Sequence, residues 1–288
     1  MRNKIVEMVI FILIISTLVS ATNVNVKQNM QATTSEADVP VWKVGDSWVY
    51  NEYYYIIYTD NGNIWYLYQK NFTSIYTVTD DTGDNYTVKM TSKNNQGYFT
   101  FGAFKLQLTP LTKITMELKQ RKTDLAVAKA FCQEKGLVFW LIGKIGFPIP
   151  AQYSDTEESI HTPPVVFMPF PLTAGTNGML PNVTVTGYEK CSLYWGLIKL
   201  YNSSGLRGYT GPLNYACEME NISVPAGTYN SYNVSAEVFY GSGHDYYRSY
   251  YVPEVGNYAK QSIGNNLDAS GKNFTLYEAE LVSTTYKP

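Results

Sequence analysis

Val224–Lys260 reads VPAGTYNSYNVSAEVFYGSGHDYYRSYYVPEVGNYAK. It opens on a Pro-Ala-Gly turn and closes on a Pro-Glu-Val-Gly turn, with two strand-like runs between them. From Tyr232 the side chains alternate, so that Tyr232, Val234, Ala236, Val238 and Tyr240 fall on one face. Asn233, Ser235 and Glu237 fall on the other, which is the period-2 pattern of a half-buried strand. Gly241-Ser242-Gly243 permits a reversal, and Tyr246–Val252 returns with aromatic and β-branched residues. One antiparallel hairpin between two glycine turns is therefore expected. Gly227, Pro253 and Gly256 act as its structural turn residues.

The rest of the chain extends this pattern in both directions. Gly45-Asp46 turns the chain into Trp48–Tyr58, a long aromatic strand. Asn61-Gly62, a strong hairpin signal, returns it through Ile64–Tyr68. Further strands are expected over 74–79, 86–91, 97–104, 183–190, 192–201, 215–224 and 273–284. Residues 111–150 divide into two strands joined at Glu134-Lys135-Gly136, forming a buried hairpin or a lid. A helix over Thr123–Lys135 is the alternative. Residues 151–164 read as a polar connector. The prolines at 163, 164, 169 and 171 imply an extended segment outside the ladder that wraps a sheet edge. Ala174-Gly175 repeats the Val44-Gly45 entry into a strand, which suggests two related sheet halves with Gly45 and Gly175 as their turns.

Composition sets the class. In 288 residues, 45% are hydrophobic, 16% are charged and 26 are Tyr. A chain of this kind folds around a large core and favours strands over helices. The net charge of −2 provides no basic field, which argues against nucleic acid as a partner.

Residues 1–21 read as a signal peptide. Arg2 and Lys4 precede an apolar run over Val9–Val19, and Val19-Ser20-Ala21 offers a small-residue cleavage site. The run is shorter than the roughly 20 residues of a spanning helix. An uncleaved N-terminal anchor is the alternative. Residues 22–39 are expected to form a flexible tether, and residues 40–288 a single β domain. The protein is thus placed outside the cell or at its surface. Seven Asn-x-Ser/Thr acceptors, at Asn71, Asn85, Asn182, Asn202, Asn221, Asn233 and Asn273, fit a glycosylated surface protein. Of the three cysteines, Cys191 and Cys217 are the pair expected to bond if a disulfide forms. Three buried thiols, Cys132 included, are the equal alternative.

Three segments, PPVVFMPFPLTAGTNG (163–178), VPAGTYNSYNV (224–234) and YYVPEVGNYAKQ (250–261), occur in that order. With VGDSWVY (44–50) and KTDLAVAK (122–129), they resemble an exported, archaeal-looking prokaryotic family with a lipoprotein-carrier-like fold of the LolA/LolB/LppX type. The resemblance covers most of residues 41–288 and rests on turn-and-strand motifs. It implies a mainly β protein with little helix. The antiparallel sheet would curl into an incomplete barrel, its concave face covered by a helix or loops, and would hold an apolar ligand.

The residues name no reaction. His161 and His244 lack metal-ligand spacing, and no nucleophile elbow occurs. His244-Asp245 reads as a surface turn, Glu157-Glu158 as solvated loop charges, and Glu254 as a turn residue. Cys132 has too few basic neighbours to be an activated thiolate. No cofactor is expected. The positive signal is aromatic density, at Tyr53, Tyr54, Tyr55, Tyr58, Trp65, Tyr66, Tyr68, Tyr246, Tyr247, Tyr250 and Tyr251. These residues either fill strand faces or line a concave site for a lipid or another apolar small molecule. The expectation is an exported, non-catalytic binding protein. The alternative is a structural or adhesive glycosylated surface protein with a cell-envelope partner and no cavity. An unrecognised hydrolase ranks below both. The oligomeric state is not legible.

Overall fold

The computed structural model describes residues 36–60, 63–101, 104–142, 147–209, 213–240, 243–266 and 274–288. Seventeen strands occur in these residues, and no helix. In chain order they are β1 (Glu36–Ala37), β2 (Ser47–Asp60), β3 (Asn63–Asp80), β4 (Asn85–Phe101), β5 (Phe104–Leu108), β6 (Lys113–Arg121), β7 (Val127–Ile142), β8 (Phe147–Val165), β9 (Leu172–Thr173), β10 (Thr176–Leu180), β11 (Thr184–Trp195), β12 (Ile198–Tyr209), β13 (Leu213–Val224), β14 (Gly227–Tyr240), β15 (Gly243–Val252), β16 (Asn257–Asn266) and β17 (Phe274–Thr284). Fifteen of them form one antiparallel sheet in the order β10-β13-β14-β15-β16-β17-β2-β3-β4-β5-β7-β8-β11-β12, with β6 also between β4 and β7. The last strand, β17, pairs with the first long one, β2, and so joins two meanders into a single surface. The sheet curls but does not close into a regular barrel.

Alternation explains why one face of this sheet is interior. Tyr232, Val234 and Ala236 on β14 are buried together, as their spacing predicts. So are Trp48, Tyr50 and Glu52 on β2, Val185, Glu189, Cys191 and Leu193 on β11, and Tyr247, Ser249 and Tyr251 on β15. Period-2 pleating sends every second side chain to one side. A single core cluster then runs from Leu180 and Cys217 at one end of the strand order to Cys191 and Leu193 at the other.

One pole of the interior is closed by tryptophans. The Trp42 indole donates to the Gly256 carbonyl at 2.7 Å, and the Trp48 indole donates to the neighbouring Val255 carbonyl at 2.8 Å. Tyr286 lies 6.2 Å from Trp48 between ring centroids. The VGDSWVY and VPEVGNY segments, more than 200 residues apart, are therefore two halves of one contact. Buried indole N–H groups need acceptors, and the turn supplies its carbonyls.

The sheet is creased across β3 to β7. The β3–β4 register shifts between Asn71 and Thr73, and Asn94 has a φ of +56°. β5 and β6 occupy one lane between β4 and β7, broken by the Thr109–Thr112 turn. Buried polar groups stitch this break. Asn95 Nδ2 donates to Ser92 Oγ at 2.9 Å and to the Thr112 carbonyl at 2.5 Å. The Thr109 and Thr112 hydroxyls both donate to the Leu137 carbonyl, at 2.6 and 2.9 Å. Bulges of this kind bend strands and increase local twist, and a row of them coils the sheet.

Several sequence expectations are corrected. Residues 36–37, assigned to the tether, pair as β1 with β9, and Ala37 is buried. No helix forms over 123–135. β7 runs unbroken through Glu134-Lys135-Gly136, because Gly136 accommodates the crease in-line at a φ of +154°. The expected connector 151–164 lies within the 19-residue strand β8, which continues through Pro163 and Pro164. Residues 166–171 do leave the ladder, but they pack inward rather than along an edge. Met168 is buried, and Phe167 and Phe170 lie 6.0 and 5.0 Å from the Tyr247 and Tyr251 rings. They cover the concave face where the resemblance implied a helix or loops. The two glycine entries do match locally: Gly45 N donates to the Val78 carbonyl and Gly175 N to that of Cys217, both with positive φ. The match stops there, since β2 has 14 residues and sits inside the sheet, whereas β10 has five and forms an edge.

Crease and turn glycines should differ in their tolerance of a side chain. A Cβ on Gly97 (φ +152°) would lie 2.1 Å from the Gln69 carbonyl oxygen and 2.9 Å from Lys70 Cα, whereas one on Gly45 (φ +99°) would meet nothing within 4 Å. Gly97→Ala is expected to lower unfolding free energy by about 3 kcal/mol or more, and Gly45→Ala by about 1. Equal urea midpoints for the two variants would contradict the crease.

Candidate functional site

The curl encloses a cavity of about 180 Å³. One wall is phenolic and combines Tyr54 from β2, Tyr76 from β3, Tyr247 from β15, Tyr258 from β16 and Tyr277 from β17. The other comes from β7 and β8, with Ala130, Cys132, Glu157, Ser159 and His161. Met116 and Leu118 of β6 bridge the two, and Trp42, Phe167 and Met168 complete the lining.

Glu52 organises the phenolic wall from behind. It is 3% exposed and accepts from the Tyr76 hydroxyl at 3.2 Å and from the Tyr277 hydroxyl at 3.3 Å. Burial pushes its carboxyl above the ordinary range, opposed by the hydrogen bonds from Tyr76 and Tyr277 and by the charge of Lys70. The rings support each other, with centroids 4.5 Å apart for Tyr54–Tyr277 and 4.7 Å for the stacked Tyr50–Tyr258 pair. Burial, and next the Glu52 charge, raises the phenols of Tyr76, Tyr258 and Tyr277 well above their usual value, so they stay neutral.

The β7–β8–β11 wall is acidic. Successive cross-strand rows place Glu134 beside Asp155 beside Cys191, and Cys132 beside Glu157 beside Glu189. Lys70 reaches this wall from β3. Its ammonium lies 2.7 Å from Glu134 and 5.1 Å from the Phe72 ring centroid, with only 3% of the side chain exposed. Among the described residues, the acidic side chains of Glu52, Asp155, Glu157 and Glu189 and the Lys70 ammonium are buried. Burial, reinforced by Glu134, raises Asp155 to about 7, and its Oδ1 has no hydrogen-bond partner. His161 has 7% exposure. Its Nδ1 sits 3.0 Å from the Val127 carbonyl, an acceptor, so Nδ1 carries the proton and Nε2 keeps a lone pair. Burial lowers its pKa, which keeps the ring neutral.

Sequence reasoning located part of this site. Of the aromatic residues it singled out, Tyr54 and Tyr247 line the cavity, while Tyr68, Tyr250 and Tyr251 are buried and Tyr53 and Tyr55 half-buried. The side chains of Tyr58, Trp65, Tyr66, Tyr246 and His244 lie outside the described residues. Tyr76, Tyr258 and Tyr277 were missed, although Tyr76 and Tyr277 alternate in phase with buried neighbours; Tyr258 does not, because it sits beside the β15–β16 register shift. Glu157 is corrected: it is buried in the wall rather than solvated, whereas Glu158 on the opposite face pairs with Lys129. Glu254 is exposed in its turn, as expected.

Of the two readings of the cysteines, the Cys191–Cys217 disulfide is not formed and the three buried thiols are what the structure has. All three cysteines are free and buried, and the two strands are not neighbours, because β11 pairs with β8 and β12 while β13 pairs with β10 and β14. Burial pushes all three thiols up, Cys217 to about 11, which removes thiolate reactivity. Among the glycan acceptors, Asn71, Asn182 and Asn221 are exposed and Asn85 is half-buried. Asn233 donates from Nδ2 to Glu220 at 2.8 Å and its Oδ1 is buried, so a glycan there would break a contact. The Asn202 side chain and Asn273 lie outside the described residues. Comparison with protein-family models, curated proteins and solved structures finds no match.

Asp155 makes stability depend on pH in a definite direction. Its folded pKa lies above the unfolded carboxylate value, so its contribution is complete below the unfolded value and is lost as pH rises through about 7. The drop in unfolding free energy between pH 5 and pH 8 should be smaller in Asp155→Asn than in the parent by on the order of 3 kcal/mol. Parallel pH profiles from urea melts would contradict the assignment.

Proposed function

We propose that the chain is an exported, non-catalytic binding protein that holds a lipid or another small apolar ligand inside its curled sheet. The observation that carries this reading is the cavity of about 180 Å³, lined by five tyrosines, Met116, Leu118 and Phe167. Cavities near 150 Å³ lined by apolar side chains bind molecules such as benzene. This one accordingly suits a small ring or the end of an acyl chain. The resemblance to lipoprotein-carrier-like proteins supports the same use of a concave sheet. The signal-like N-terminus and the exposed acceptors Asn71, Asn182 and Asn221 support an extracellular, glycosylated setting. The raised thiols favour binding over nucleophilic chemistry.

A second reading, an adhesive surface component with a cell-envelope partner, draws on the β11–β12 hairpin. There Trp195, Leu197 and Ile198 are exposed, Leu197 completely. Native mass spectrometry of protein purified from its own host separates the two. The binding reading predicts an added small-molecule mass that is lost on mild activation. A mass explained by polypeptide and glycans alone would favour the adhesive reading.

A further inference from the structure

We infer that Asn71 carries a glycan whose first sugars are seated in a cleft on the outer face of the sheet, where they help to hold the crease. This deepens the glycosylated setting of the proposed function and rests on it.

A shallow cleft of about 350 Å³ lies over β2, β3, β4 and β17, which is the scale of a small-ligand site. Register puts Asn71 in its middle. One cross-strand row reads Glu278, Tyr53, Asn71 and Gln96, and the next reads Glu280, Asn51 and Thr73. The intervening positions, Ala279, Glu52 and Phe72, are buried, so both rows face outward. Directly opposed side chains on one face start about 5 Å apart, which brings Tyr53 and Gln96 within reach of the first sugar on the Asn71 amide. The acceptor motif Asn71-Phe72-Thr73 also lies on the crease itself. β3 and β4 lose register between Asn71 and Thr73, and the exposed Asn94 bulges from β4 at a φ of +56° to line the cleft.

The chemistry of the lining suits a sugar. The exposed amides of Asn51, Asn94 and Gln96 offer donors and acceptors together, which matches the neighbouring hydroxyls of a sugar ring. Lys260 lies 2.7 Å from Glu280 and 3.7 Å from Glu278, so these carboxylates are compensated, and each keeps lone pairs for a hydroxyl donor. Other acceptors are placed differently. The Asn233 amide is committed to Glu220, Asn182 lies between β10 and β11, and Asn221 is on β13, away from this cleft. Sugars held at Asn71 would tie β4 to β2 and β17 across the level where the β3–β4 ladder is interrupted.

The test uses the full exported chain made in its own host and the same chain made unglycosylated in a bacterial cytoplasm. Glycopeptide mass spectrometry reads the occupancy of each acceptor, and scanning calorimetry reads Tm. Asn71 should be occupied. Asn71→Gln should lower Tm by about 2–4 °C in the host-made protein and by less than about 1 °C in the unglycosylated one. Asn182→Gln and Asn221→Gln, at exposed acceptors outside the cleft, should shift Tm by less than about 1 °C in both forms. Gln96→Ala removes a cleft contact and should cost the glycosylated chain about 1–2 °C more than the unglycosylated one. Should Asn71→Gln fold poorly, the Gln96→Ala comparison decides, and an equal cost in both forms would overturn the inference. Equal shifts for the three acceptor variants would overturn the seated glycan and leave the glycosylated setting standing. So would an unmodified Asn71 beside an occupied Asn182 or Asn221. No glycan at any acceptor would overturn both.

Discussion

Fifteen strands in one sheet can bury a common face only if the sheet coils, and here the coil is set by the crease across β3 to β7. At that level Asn94 and Gly97 have positive φ, the β5–β6 lane breaks at Thr109–Thr112, and Gly136 lets β7 continue past the break. The crease needs its own polar satisfaction, because four strands lose regular ladder partners there. Ser92, Asn95, Thr109 and Thr112 provide it from buried positions. Lys70 and Glu134 flank the same level. Removing either would leave the other uncompensated inside the sheet, which is generally more damaging than the net worth of the pair.

The interior that results has two chemically distinct walls. β2, β3, β16 and β17 bring tyrosines, of which Tyr76 and Tyr277 hydrogen-bond Glu52, while β7, β8 and β11 bring acidic side chains at alternate positions. The tryptophan contact between residues 42–48 and the 252–256 turn closes one pole. The Val166–Pro171 segment lies over the concave face. The enclosure therefore depends on contacts between segments far apart in the chain, and the cavity exists only in the assembled fold.

How much of this was legible in the sequence follows from what alternation can reveal. The β14–β15 hairpin was readable because Tyr232, Val234 and Ala236 are apolar at every second position and glycines mark both ends. β8 was not, because its inward positions are Tyr153, Asp155, Glu157, Ser159 and His161, so the period was present but carried by polar side chains. The β7 expectation failed at Glu134–Gly136 because a glycine that normally ends an element here sustains one across a bulge. The tyrosine wall was half legible: density drew attention to Tyr54 and Tyr247, but Tyr76, Tyr258 and Tyr277 come from four-strand neighbourhoods that only register defines. Glu52 sits in phase with Trp48 and Tyr50, and a charge in phase with buried aromatics marks an interior polar site.

The central claim is that the strands from β13 round to β11 share one interior face, and the three cysteines report on it directly. Cys132, Cys191 and Cys217 lie on three strands spread across the sheet, β7, β11 and β13, and all are buried on that face as free thiols. Thiol titration with Ellman's reagent, without added reductant, should find none reactive in native buffer and three in concentrated urea. Rapid native labelling of any cysteine, or a single thiol in urea, would contradict the account.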